Sequence, residues 1–206
     1  MSNGTAAPAA TTTRQQRAQA TADQLLVAAR TVFEEKGYRA TTVGAITEAA
    51  STAHGTFYLY FKNKEDAFGK VFAAVVDELE KGTTAPWAGD ARSTLHDVVA
   101  GYFDVIVRHK GMWRCLMEGM YQSAHIEKLW LELRRPFVER LEHALTYLVE
   151  HDLARPIDVK ATAVALGSMA EWTAFTVAEL GEPSDLSIEA AIDAVVDLWY
   201  RGVYPD

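Results

Sequence analysis

A chain of 206 residues, 49% of them hydrophobic, is long enough for one or two domains with buried cores. Its single cysteine, Cys115, excludes an intramolecular disulfide and any zinc site built from four cysteines or from Cys/His sets. The net charge of −8 is unevenly spread: residues 1–64 carry seven Lys/Arg against four Asp/Glu, and residues 82–206 carry eleven against nineteen. That asymmetry permits a polyanionic partner at one end only, and a chance imbalance produces the same numbers.

Residues 1–18 are rich in Ala, Thr and Gln, with Arg14 and Arg17, and read as a mobile arm. The opening "MSNGTAAPAATTT" has no basic stretch leading into an apolar run, so it does not read as a signal peptide. From Thr21, the residues Leu25, Leu26, Ala29, Val32 and Phe33 recur at helical spacing until Gly37 stops the helix. Thr42 is the expected N-cap of a two-turn helix with Val43, Ile46 and Ala50 on one face. "HGTFYLYF" predicts a second short helix ending near Phe61. Asn63 then caps a longer helix, 64–81, whose Lys64, Ala67, Phe68, Val71, Phe72 and Val75 point inward.

Beyond the turn-rich connector "KGTTAPWAGD", Leu95, Val98, Val99, Tyr102, Phe103 and Ile106 describe one helix, and "MWRCLMEGMY" a short one. A periodic run from about 124 to 151 contains Pro136, which predicts a kink there or a break just before it. Helices over 158–180 and 187–203 close the chain. The longest apolar stretch, around 161–178, is interrupted by Ser, Thr and Glu, so no membrane span is expected and the protein is expected to be cytoplasmic. No useful β alternation exists. The predicted fold is all-α, with about nine helices.

Two short helices joined by a tight turn at Ala50–Ala53 are a helix-turn-helix arrangement, in which the second helix enters the major groove of DNA. That placement explains four aromatic rings within the five residues Phe57 to Phe61. Phe57 and Phe61, four apart, share a face and pack on Ile46, while Tyr58 and Tyr60 are left to reach a phosphate or a base. Gly55 lets the backbone approach DNA, Thr56 donates to a phosphate, and Lys64 adds a charged contact.

The stretch "TTVGAITEAASTAHGTFYLYFKNKEDAF" resembles the DNA-binding signature of TetR-type transcriptional repressors, and the likeness covers about residues 21–70. The resemblance implies a homodimer that binds a palindromic double-stranded operator through paired N-terminal domains. It also implies a C-terminal domain with a small-molecule pocket, and a dimer seam formed by the last two helices. It places Thr42 at a phosphate, puts His54, Gly55, Thr56, Tyr58 and Tyr60 on the recognition helix, and makes Lys64 a phosphate clamp. Where the family has Gly-Val-Ser in its turn, this chain has Ser51-Thr52-Ala53, so Ser51 must adopt a conformation that favours glycine, and Thr52 is the expected N-cap. The expected organisation is an arm at 1–18, a helix-turn-helix domain at 19–64, and a ligand-binding and dimerisation domain at 65–206, connected through helix 64–81.

In the C-terminal part, helix 158–180 is apolar around nearly its whole circumference, which places it against a second subunit or at the centre of a monomer. Ala163, Gly167, Ala170 and Ala174, with Ala191, Val195 and Leu198 of the last helix, are the expected dimer contacts. Tyr102, Phe103, Trp113, Met117, Tyr121, Phe137, Met169 and Trp172 are candidates to line a largely apolar effector pocket, although such residues also build ordinary cores. Glu118 and Glu171 sit on otherwise apolar stretches and are either pocket groups or surface residues.

No nucleophile elbow, phosphate-binding loop or dinucleotide fingerprint is present, and Cys115 among apolar neighbours reads as an inert thiol. Glu139 and His143 share a helix face, but two ligands are no metal site. Neither a metal nor a cofactor is expected, and the chain does not read as an enzyme. The expected function is an operator-binding repressor released by a small molecule. The alternative is a small-molecule-binding helical protein with no operator binding.

Overall fold

The computed structural model describes residues 9–84 and 89–205, and among them every regular element is helical. In chain order these are α1 (Ala9–Ala40), α2 (Val43–Ala49), α3 (His54–Phe57), α4 (Lys64–Gly82) and α5 (Ala91–Arg108). They continue with α6 (Lys110–Met120), α7 (Ala124–Glu150), α8 (Val159–Phe175) with a π-helical turn at Thr176–Leu180, and α9 (Ile188–Val203). The chain divides after Val71, inside α4, into two compact units.

The first unit is held together by rings. Phe33 meets Phe68 edge-on at 5.3 Å and stacks on Tyr38 at 6.0 Å, while Phe57 and Phe61 lie 5.0 Å apart. Leu25, Ile46, Ala50 and these phenylalanines are all buried. Gly37 breaks the helical geometry of α1 (φ 77°), and the buried Thr41 hydroxyl donates to Gly37 O at 2.7 Å, satisfying a buried carbonyl that the helix leaves without a partner at its end. The segment read as an arm lies partly outside the described residues (1–8). From Ala9 onward its backbone is helical, because Ala, Gln and Arg are good helix formers that extend a helix already nucleated by the core.

In the second unit, α5 packs on α8 and α9, and α7 packs on α6 and α8. Trp113 meets Phe72 and Trp130 edge-on at 5.4 and 5.3 Å, and the free Cys115 is buried nearby in the sequence. His109, buried between α5 and α6, lies 2.9 Å from Glu78 of α4, which Arg108 also contacts. Those two contacts, His109 first, hold the Glu78 carboxyl down at a pKa of about 2.

Two expectations are narrowed: no break precedes Pro136, and α3 is shorter than expected. Helix α7 runs unbroken through Pro136, which faces solvent, so the carbonyl deprived of its partner can turn to water. Helix α3 is a single turn, because residues 58–60 continue as turns rather than as helix to Phe61.

Candidate functional site

The candidate reading head is built from α2, the turn at 50–53 and α3. Thr42 caps α2 as expected, its hydroxyl accepting from Ala45 N at 3.2 Å, and it stays exposed. Ser51 takes the left-handed conformation at φ 50°, as the turn requires of the residue in that position. A side chain there costs roughly 1–2 kcal/mol. Ser51→Gly is expected to raise unfolding free energy by about 1 kcal/mol in urea denaturation, offset in part by the freer unfolded chain.

Thr52 does not cap α3. The N-cap is Ala53, without a side-chain bond, and Thr52 Oγ1 is buried with no hydrogen-bond partner among the described residues. The helix starts one residue later than a Thr52 cap requires, which turns the hydroxyl inward. His54 opens the helix and is exposed, its ring 5.5 Å from that of Tyr58. Tyr58 is 53% exposed and Leu59 is 78% exposed, so the turn presents an apolar side chain that residue-type reasoning passed over. The clue was available: with Phe57 and Phe61 inward, Leu59 must point away from them. Thr56 and Tyr60 are half-buried.

Gly55 carries no constraint from its own fold. A Cβ there meets nothing within 4 Å, and its backbone is not in the left-handed region. Glycine in a helix costs about 0.5–1 kcal/mol relative to alanine, so its presence has no internal rationale.

Lys64 is engaged within the unit. Its ammonium donates to Tyr38 O at 2.9 Å and sits 4.4 Å from the centre of that ring, joining the start of α4 to the end of α1. Burial lowers its pKa, with Glu65 acting in the opposite direction. Ammonium has three donors, so this contact leaves others available. Lys70 similarly donates to Tyr60 O at 2.7 Å, and Lys62 is exposed.

In the second unit, a cavity of about 340 Å³ opens between α4, α5, α7, α8 and α9. Tyr102, Phe137 and Glu171 line it; Phe103, Trp113, Met117, Glu118, Tyr121, Met169 and Trp172 do not. The reason is helical phase: neighbours in sequence point about 100° apart, so Tyr102 faces the cavity while Phe103 faces the core. Trp113 is core, Tyr121 is 93% exposed and Trp172 is 59% exposed. Arg134 was missed. Its signal is its place in the α7 stripe Trp130, Arg134, Phe137, Leu141, Leu145 and Leu148, a charge set at helical spacing among apolar residues.

At the cavity wall, Arg134 Nε donates to Glu171 Oε2 at 3.0 Å, and one terminal nitrogen reaches past the cavity to donate to the exposed Ser168 Oγ at 2.9 Å. Burial raises the Glu171 pKa against the pull of Arg134. Burial, helped by Glu171, likewise raises the Tyr102 hydroxyl well above its ordinary range.

The residues expected at a seam along α8 and α9 face mostly inward in the single chain. Ala163, Ala170, Ala174, Ala191 and Val195 are buried within their own subunit, and Gly167 lines the cavity. Leu198 alone of the seven is exposed, at 62%, and is joined outside by Val164 and Trp172. A helix apolar on all sides carries no record of which stripe faces inward.

The sequence profile of the family described as "Bacterial regulatory proteins, tetR family" matches residues 25–71. A similar relative is the uncharacterized HTH-type transcriptional regulator YhgD of Bacillus subtilis (strain 168), 37% identical over 147 residues, covering 69% of this chain and 76% of the relative. The HTH-type transcriptional regulator AcrR of Shigella flexneri is 26% identical over 174 residues, or 76% of this chain and 80% of AcrR. A crystal structure of a putative TetR-family transcriptional regulator from Mesorhizobium loti shares the fold, with a TM-score of 0.71 at 20% identity, covering 92% of this chain and 99% of that one.

Proposed function

Since the chain belongs to the TetR family of helix-turn-helix transcriptional regulators, we propose that it is a homodimeric repressor that binds a palindromic operator and leaves it when a small molecule enters the second unit. The observation that carries the DNA half is Gly55, a glycine its own fold does not need, beside the exposed His54, Tyr58 and Leu59. A backbone left bare in this way suits close approach to a duplex, with Tyr58 and Thr42 at phosphates, His54 at a base edge and Leu59 against a thymine methyl. Thr56, Tyr60 and a spare donor of Lys64 complete the contact set.

The apolar cavity supports the ligand half. Its occupant releases DNA only by binding better to the form whose two heads miss half-sites about one helical turn (~34 Å) apart. Helix α4 belongs to both units and is the continuous path between them.

The test is mobility shift on genomic fragments selected by the protein, with Gly55→Leu as the variant. A Cβ at this position meets no neighbour and the helix loses a glycine, so thermal unfolding should not fall, while operator affinity drops tenfold or more, about 1.4 kcal/mol. Wild-type affinity should fall steeply with salt as phosphate contacts release counterions. A reporter driven from the selected operator should be silenced. Undiminished binding by Gly55→Leu, or flat salt dependence, overturns the reading of the head; a reporter switched on overturns repression.

A further inference from the structure

We infer that the cavity takes an uncharged, mainly apolar molecule with a hydroxyl or carbonyl at one end, held where Tyr102, Arg134 and Glu171 meet. This rests on the cavity being the effector site. Most of the lining is aliphatic or aromatic: Val76, Leu79, Val99, Phe137, Leu141 and Leu148 give a ligand body nothing to hydrogen-bond.

The polar end is already neutral. Arg134 and Glu171 form a contact of 3.0 Å with both side chains largely covered, and a pair in such surroundings satisfies each other's charge. A ligand carboxylate here would set two anions around one guanidinium, and a ligand ammonium two cations around one carboxylate. Either guest brings a charge out of water and finds no unpaired opposite charge at this end to meet it.

A neutral polar group faces no such conflict. Arg134 uses Nε on Glu171 and one terminal nitrogen on Ser168, which leaves further N–H donors. Tyr102 lines the cavity, and its hydroxyl has no hydrogen-bond partner among the described residues. Burial keeps it protonated, so it is both donor and acceptor. A guest hydroxyl can accept from one of these groups and donate to another; a carbonyl can accept from both. Arg140, the other charge on the lining, is exposed, donates to Thr83 Oγ1 and is screened by water, so it selects weakly.

The experiment is isothermal titration calorimetry of the full chain at pH 7 with three probes sharing one tail: 1-decanol, decanoate and decylammonium. Decanol is expected to bind at least tenfold tighter than either ion. In Glu171→Gln, which frees the guanidinium, decanoate should gain tenfold or more relative to decanol. In Arg134→Gln, which frees the carboxylate, decylammonium should gain instead. Tighter binding of either ion to the wild-type chain overturns the assigned polarity while leaving the cavity as a ligand site. No binding of any probe overturns the inference together with the cavity's role. Affinity ratios among the three probes that stay the same in both variants as in the wild-type chain overturn the part given to the ion pair.

Discussion

Trp172→Glu combined with Leu198→Glu is expected to turn the proposed dimer into a monomer and to weaken operator binding at least about 100-fold. Both side chains are more than half exposed in the single chain, so the substitutions remove little that the subunit itself packs, and circular dichroism should be unchanged. Across a subunit seam the same carboxylates must be stripped of water without partners, which costs several kcal/mol each. The loss of DNA affinity follows from geometry, because two tethered heads gain about 10²–10⁴ over one. Analytical ultracentrifugation and mobility shift on the same preparation check both halves. A double variant that stays dimeric would show that the outer faces of α8 and α9 are not the seam.

The second large effect is on stability. At Gly101 a methyl group would overlap the carbonyl oxygen of Gly82 and stand 2.9 Å from its carbonyl carbon; a methyl on Gly82 would lie 3.1 Å from Gly101 O. The last turn of α4 therefore rests on α5 backbone to backbone, and neither partner is a side chain that can swing aside. Gly101→Ala should force the two helices apart and cost about 2 kcal/mol or more, exceeding the helix-propensity gain of about 1 kcal/mol. Gly202 is the internal control. A methyl there meets nothing within 4 Å, so Gly202→Ala should be neutral or stabilising. Urea denaturation of the pair gives opposite signs for one chemical change; equal signs would refute the close approach.

Legibility in the sequence followed local chemistry. Thr42 as cap, Gly37 as stop, Ser51 in the glycine turn and the inward pair Phe57 and Phe61 depend on a few adjacent residues, and the structure places each as read. Where the answer depended on helical phase against a distant neighbour, residue type was not enough. Ala163 and Val164 differ by one step along α8, yet one is buried and the other exposed. Trp172 looks like a pocket residue by composition and lies on the outside, while Arg134 looks like a surface charge and lies in the cavity. Thr52 failed for a related reason: its capping role needed a helix start that only the folded turn defines. Lys64 has an internal contact with Tyr38, 26 residues away, that no local pattern announces.

Helix α8 shows Ala163, Gly167, Ala170 and Glu171 to the cavity and bares Val164, Ser168 and Trp172 on its other side. Between the cavity and that outer side stands a wall one helix thick, about 10 Å. A guest in the proposed effector site that pressed on one side would displace the other by rigid translation, without any relay of intermediate side chains. Substitutions on the two sides should therefore combine non-additively, however separate their positions look in a contact map.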